Sequence, residues 1–232
     1  MSQRVESALA LLREAAQLAP AAFSSSFGAE DMVLLDLIQG QRLPIQIFTL
    51  DTGRLPEQTH ALMQRVQEVY GPCFATYFPE AGALQDLVAT DGINGFYRSV
   101  AARKHCCSVR KVEPLTRALA GKAAWVSGLR AHQSAERAGV AARAFDPTYR
   151  LEKFNPLHDW TEAEVWEYIR SRQIPYNELH DRFYPSIGCA PCTRAVAVGE
   201  DPRAGRWWWE SGETRECGLH TRSGLIAVRE IA

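Results

Sequence analysis

Residues 41–53, QRLPIQIFTLDTG, fit one kind of secondary structure and one place in a sheet. Ile45, Ile47, Phe48 and Leu50 put apolar side chains on both faces of an extended chain, which is too apolar for a sheet with one face in water. The run predicts a parallel strand over 41–50, buried on both sides. Leu50-Asp51-Thr52-Gly53 then sits at the strand's carboxyl end, where open α/β sheets bind ligands. Working outward, Val5, Leu9, Leu12 and Ala16 recur at helical spacing, and Pro20 ends that helix. Residues 21–26 read as a short strand entering a small-residue loop, with a helix over 32–38. Pro56 suits a first helical turn, and Leu62, Val66 and Val69 continue it to Gly71. Residues 73–78 and 123–129 are further strand candidates. Strands alternating with helices predict βαβ units, hence an α/β fold with a parallel sheet flanked by helices.

Beyond Arg130 the character changes. Residues 131–149 are polar and small with no clear period, and read as a mobile loop. Thr161 and Glu164 form a capping-box pattern before Val165, Tyr168 and Ile169. From Pro175 the chain is loop-rich. The expectation is a single domain over 1–232, with a core to about 175 and a functional C-terminal segment over about 176–232.

The 232 residues are 46% hydrophobic and 23% charged, which excludes disorder and a coiled coil. No apolar run reaches the roughly 18 residues of a membrane span. Glu6, Arg13 and Glu14 interrupt the N-terminal apolar stretch, so a signal peptide is not expected. A net charge of −1 gives no general pull towards nucleic acid or membrane. Six cysteines are too few for a disulfide scaffold, so reduced thiols in a soluble, cytoplasmic protein are expected.

Cys106 and Cys107 are adjacent, and Cys189-Ala190-Pro191-Cys192 is a C-x-x-C. Four thiolates suit zinc or an iron–sulfur cluster. Neighbouring Cα atoms are only about 3.8 Å apart, which strains a single tetrahedral ion more than a cluster with several iron corners. A vicinal disulfide and an unrelated redox C-x-x-C remain the plainer alternatives. Arg103, Lys104, Arg110 and Lys111 bracket the Cys-Cys pair and would offset the charge of a thiolate-bound centre. Cys217 stands apart in Glu216-Cys217-Gly218-Leu219-His220; it is either a mobile reactive thiol or a stray surface one. Cys73 lies in an apolar strand pattern and reads as a core residue.

Ser24-Ser25-Ser26-Phe27-Gly28-Ala29-Glu30-Asp31 follows a strand and opens a helix, a place where small residues and helix N–H groups accept phosphate. Gly128-Leu129-Arg130 ends another strand, and Arg130 would point a fixed cation into the crevice. Arg203 and Arg206 could clamp an anionic group. Trp207, Trp208 and Trp209 read as packing residues, because three consecutive side chains cannot share one face.

Taken in order, the serine-rich Gly-Ala-Glu-Asp loop, Leu-Asp-Thr-Gly, Cys-Cys-x-x-Arg-Lys-x-x-Pro, Gly-x-Arg, Cys-x-x-Cys and Glu-Cys-Gly-Leu-His resemble the assimilatory adenylyl-sulfate reductases, within a wider family that includes the phosphoadenylyl-sulfate reductases. The resemblance spans residues 24–220. It implies a Rossmann-like adenine nucleotide α-hydrolase fold with a mobile C-terminal tail. It also implies one [4Fe–4S] cluster on Cys106, Cys107, Cys189 and Cys192, and Cys217 as the catalytic thiol. Thioredoxin or glutaredoxin would be the external electron donor, since no thioredoxin-like extension follows Cys217. The family's substrate contacts map onto Ser25, Ser26, Gly28, Leu50, Thr52, Lys111, Gly128, Arg130, Arg203, Arg206 and His220. The family loop often reads Ser-Phe-Ser-Gly where this chain has Ser-Ser-Phe-Gly, which displaces the serine nearest the glycine. Two other activities stay open at this stage: phosphoadenylyl-sulfate reduction, and an ATP-consuming thiolation or amidation reaction on the same fold. The latter usually needs Ser-Gly-Gly-x-Asp-Ser/Thr, which is absent here. A non-catalytic metal-binding regulator would leave Cys217 and the arginines without a purpose. Homo-oligomerisation is left open.

Overall fold

The computed structural model describes residues 1–134 and 137–210. Helix α1 (Ser2–Gln17) lays Ala8, Leu9, Leu12 and Ala15 onto the core, as its spacing requires. Strand β1 (Ala21–Ser24) leads into α2 (Ala29–Gly40). Met32, Val33, Leu34 and Leu35 on α2 are all fully buried, the mark of a helix covered all round. There follow β2 (Ile45–Leu50), α3 (Glu57–Tyr70), β3 (Phe74–Tyr77) and α4 (Ala81–Asp91). Helices α5 (Val100–Cys107) and α6 (Glu113–Leu119) precede β4 (Ala124–Val126). The remaining elements are β5 (Arg143–Asp146), β6 (Leu151–Phe154) and α7 (Glu162–Ser171).

The six strands run in the order β3-β2-β1-β4-β6-β5. β1 pairs in parallel with β2 on one side and β4 on the other. The winding therefore reverses between β1 and β4, and a crevice opens at their carboxyl ends. Both sheet faces are covered, as the apolar run of β2 predicts. Ile45 and Ile47 join Phe23, Val126 and Phe154 under α1, α2 and α7, while Phe48 joins Ala22, Leu115 and Trp125 on the other face.

Three helices are pinned together at one point. Asp36 on α2 accepts hydrogen bonds from Tyr70 Oη (3.1 Å), Tyr168 Oη (2.8 Å) and Arg172 Nε (2.8 Å). Helix α7 starts with the expected capping box, in which Glu164 N donates to Thr161 Oγ1 and the Glu164 carboxylate takes Thr161 N at 2.7 Å.

The structure departs from two of these expectations. The stretch 131–149 is not one loop: β5 lies inside it and pairs antiparallel with β6 at the sheet edge. Its alternation is real, but the inward residues are Ala144 and Asp146, which carry little strand signal. Cys73 is half-buried and precedes β3 instead of lying within it. The expected C-terminal tail, with Cys217 and His220, lies outside the described residues.

Candidate active site

A cavity of about 270 Å³ occupies the crevice between β1 and β4. The β1–α2 loop contributes Ser25, Ser26 and Gly28 to its wall, and the end of β2 contributes Leu50 and Thr52. Gly128 and Arg130 line it from the end of β4, Lys111 from the turn before α6, and Arg203 and Arg206 from the C-terminal loop. The fold thus gathers every expected substrate residue that lies among the described ones.

The serine loop turns sharply because Phe27 adopts φ 58°, with its ring buried edge-on against Phe74 at 5.1 Å. The three hydroxyls differ in what they have left to offer. Ser24 Oγ accepts from Trp125 Nε1 (2.7 Å), and Ser25 Oγ accepts from Phe27 N (3.2 Å). Neither hydroxyl donates to a partner among the described residues. Ser26 instead donates through N (2.5 Å) and Oγ (2.8 Å) to Asp31, so its proton is engaged. Gly128 is required by close approach: a Cβ there would fall on the Asp31 carboxylate.

Arg130 reaches the crevice as expected, but its charge is already answered. Nη2 lies 2.7 Å and Nε 2.8 Å from Glu30 Oε1, and Nη1 donates to Trp160 O. Burial pushes the Glu30 carboxyl up, yet Arg130, Gln133 and the helix backbone outweigh it and hold it below the usual range. Lys111, Arg137, Arg203 and Arg206 are the further lysine and arginine side chains of the wall.

Asp31 shows the opposite balance. Burial dominates its bonds from Ser26 and pushes the carboxyl up to about 7. The folded chain therefore keeps a proton that the unfolded chain has lost above pH 4, and stability falls as pH rises through this window. Asp31→Asn should remove that loss. Its melting temperature relative to the parent is expected to rise between pH 4 and 7, by up to about 1.4 kcal/mol of stability per pH unit. A difference that stays flat with pH would refute the assignment.

A second, smaller cavity of about 20 Å³ is lined by Cys106, Cys107, Cys189 and Cys192. The first pair ends α5, and a wide π turn over Ser108–Val112 joins it to α6. Such a turn inserts a residue into the helix, and here it brings Arg110 and Lys111 to the cavity wall. Arg103 lines the cavity too, whereas Lys104 points to solvent. The Cys189–Cys192 loop is anchored by Ala190 N to Arg54 O (2.8 Å), and Thr52 Oγ1 lies 3.2 Å from Cys189 Sγ. Arg110 Nη1 donates to Thr52 O at 2.6 Å.

Burial pushes Cys192 up to about 12 and raises Cys106. Burial acts on Cys189 as well, but Lys111, the Thr52 hydroxyl, Arg206 and Arg110 overcome it and hold that thiol down. Among the described residues no three donor side chains close on a single metal position. The sulfurs surround a space instead. In its wall, the buried donors Arg110 Nε and Arg206 Nε lack hydrogen-bond partners among the described residues, so the described site is short of an acceptor. A compact anionic iron–sulfur cluster fits this donor set.

The two cavities share a wall. Lys111, Arg206 and Trp207 line both. Trp207 is 1% exposed, with the guanidinium carbons of Arg103 and Arg206 4.6 and 4.7 Å from its ring centre. Arg103 is in turn fixed by Glu210, with Nε 2.5 Å from Oε1.

Residues 20–195 match the family model described as the phosphoadenosine phosphosulfate reductase domain. The chain belongs to that reductase family. Among curated relatives, the adenosine 5'-phosphosulfate reductase of Allochromatium vinosum is 60% identical over 86% of this chain and 78% of its own. The enzyme of the same name from Burkholderia cepacia is 52% identical over 85% and 79%. In structure, the phosphoadenylyl-sulfate reductase of Candida auris, solved as a phosphate complex, superposes with a TM-score of 0.69 at 27% identity, over 82% of this chain and 90% of that one. An FMN adenylyltransferase of Candida glabrata shares the fold alone, with a TM-score of 0.57 at 15% identity over 83% and 64%.

Within this reductase, the sequence left several working groups unread. Thr52 was expected at the cavity but not against the Cys189 sulfur, Glu30 pairs with Arg130, and Trp125 holds Ser24. Only the Leu-Asp-Thr-Gly motif signalled Thr52, and nothing local signalled the other two. The Trp triplet packs as expected for Trp207 and Trp209, while Trp208 is 47% exposed.

Proposed function

We propose that this oxidoreductase reduces adenylyl sulfate to sulfite and AMP in sulfate assimilation, with Cys217 as the attacking thiol. One observation carries the reading: a cavity of nucleotide size and a four-cysteine cavity meet at a common wall made by Lys111, Arg206 and Trp207. The names of the curated relatives support the substrate.

Cys106, Cys107, Cys189 and Cys192 would hold a [4Fe–4S] cluster. When bound, it would supply charge at the shared wall and tie α5 to the C-terminal loop through these four cysteines. The remaining work falls to the chain. Ser24, Ser25 and the β1–α2 loop hold phosphate, and Leu50 and Gly128 bound the nucleotide. Sulfate sulfur is electron-poor but shielded by anionic oxygens, so a thiolate reaches it only where cations offset that charge. Lys111, Arg203 and Arg206 provide them. The Cys217 thiolate forms the new S–S bond as the S–O bond to AMP breaks, and AMP departs with the electron pair. A dithiol of the thioredoxin or glutaredoxin class then attacks the cysteine sulfur of the thiosulfonate. It becomes the mixed disulfide and then the disulfide, supplying two electrons, and sulfite leaves.

The chain acts as a single reductase domain in this reading, in the cytoplasm. No helix among the described residues is long and apolar enough to cross a membrane. Anaerobically purified protein should be brown, with iron and acid-labile sulfide near about four each per chain. It should release sulfite from adenylyl sulfate faster than from the 3′-phosphorylated nucleotide at equal concentration. Colourless protein with one zinc ion overturns the cofactor, and preference for the phosphorylated nucleotide overturns the substrate.

A further inference from the structure

Away from the cysteines, a line of polar side chains crosses four neighbouring strands on one face of the sheet. It begins at the cavity, where Ser24 at the end of β1 accepts Trp125 Nε1 at 2.7 Å. Trp125 on β4 stands opposite Lys153 on β6, and Lys153 Nζ lies 4.1 Å from the centre of the indole ring. Lys153 is paired with Ala144 on β5, and Asp146, two residues on, points to the same face. Trp125, Lys153 and Asp146 are 1%, 0% and 0% exposed.

An ammonium taken wholly out of water is costly, and an apolar side chain would fill the place without that cost. Asp146 supplies one answer to the charge. Its Oδ1 accepts the amides of Thr148 (2.9 Å) and Tyr149 (3.2 Å), and its Oδ2 has no hydrogen-bond partner among the described residues. The negative face of the indole supplies another. Burial still pulls the Lys153 amine down to about 8, Asp146 works against that, and Arg137 adds to it. The position of the charge is specific. It sits on the face of the indole whose N–H bonds Ser24, and it adds one more contact to a ring that Phe48, Leu115 and Tyr149 also hold.

We infer that Lys153 is a positioning residue for the nucleotide, acting through the indole of Trp125 on the Ser24 hydroxyl. The inference rests on the reading of the larger cavity as the nucleotide site. Ser24 then presents its remaining proton to the bound phosphate in one orientation. Removing the ammonium takes away one of the contacts that hold the indole, and the direction of the serine loosens.

The test uses AMP affinity by calorimetry and hydrogen exchange of the Trp125 indole N–H, assigned by its loss in Trp125→Phe. Lys153→Met alone strands a buried carboxylate, so the main variant is Lys153→Met with Asp146→Asn. It should bind AMP about five- to tenfold more weakly, the worth of one hydrogen bond. Its Trp125 indole proton should exchange at least about tenfold faster. Adding Ser24→Ala should cost little more, because the residues act in series. Lys153→Arg, which keeps the cation, should recover part of the affinity. AMP affinity within about twofold of the parent, or Ser24 and Lys153 losses that multiply, would overturn the inference. If the parent protein binds no AMP, the nucleotide reading fails on its own. The exchange measurement then decides the relay, and an unchanged indole rate refutes it.

Discussion

Cys217→Ser is expected to abolish sulfite release, by at least roughly 10⁴-fold, while the iron–sulfur absorption and AMP affinity stay at parental values. Four of the six cysteines line the small cavity. Cys73 is half-buried against the core, and burial raises its thiol, so it is a poor nucleophile. Cys217 is left to attack. Replacing its sulfur with oxygen keeps the shape, but an unassisted hydroxyl is scarcely ionised at neutral pH, and no base is assigned to it. Parent protein given substrate without reductant should gain one sulfite group, and peptide mass spectrometry should place it on the Cys217 peptide. An adduct on Cys73 or on a cavity cysteine would sink the assignment, as would turnover by the serine variant.

The fold was legible because β2 is apolar on both faces, a pattern that only a doubly covered strand satisfies. From that strand and its helical neighbours the parallel core follows, and with it the place of the crevice. β5 was not legible, since its inward positions are alanine and aspartate and its partner strand lies on the far side of a turn. Helix α4 buries only Leu87 and so carries no amphipathic stripe. The two cysteine pairs could be read from the sequence, but their setting could not. Thr52 and Cys189 meet across 137 residues, and Arg130 and Glu30 across 100, so neither pair leaves a local trace. The π turn that brings Lys111 to the cavities is likewise a matter of hydrogen-bond register, invisible to apolar periodicity. Arg130 shows the limit most clearly. Its position was predictable from the end of a strand, while its ion pair with Glu30 depended on an acidic residue in another element.

Lys111 is where the two cavities are most directly coupled, and Lys111→Met is expected to lower kcat/KM for adenylyl sulfate by about 10²–10³-fold, the usual loss of one preorganised charge at a reacting centre. The ammonium lines the nucleotide cavity and, from the same position, helps hold the Cys189 thiol down. Removing it leaves the cysteine cavity more negative and the sulfate oxygens less shielded. Charge on those oxygens matters most as the thiolate approaches, so kcat should fall well beyond any loss of AMP affinity. Lys111→Arg should restore part of the rate, because the cation returns with a different reach. The visible spectrum of the iron–sulfur centre should shift in the methionine variant at unchanged iron content, a change that a purely nucleotide-binding lysine would not produce. Should AMP affinity fall as far as kcat/KM, with the spectrum unmoved, Lys111 contributes only ground-state binding and the shared wall carries no coupling.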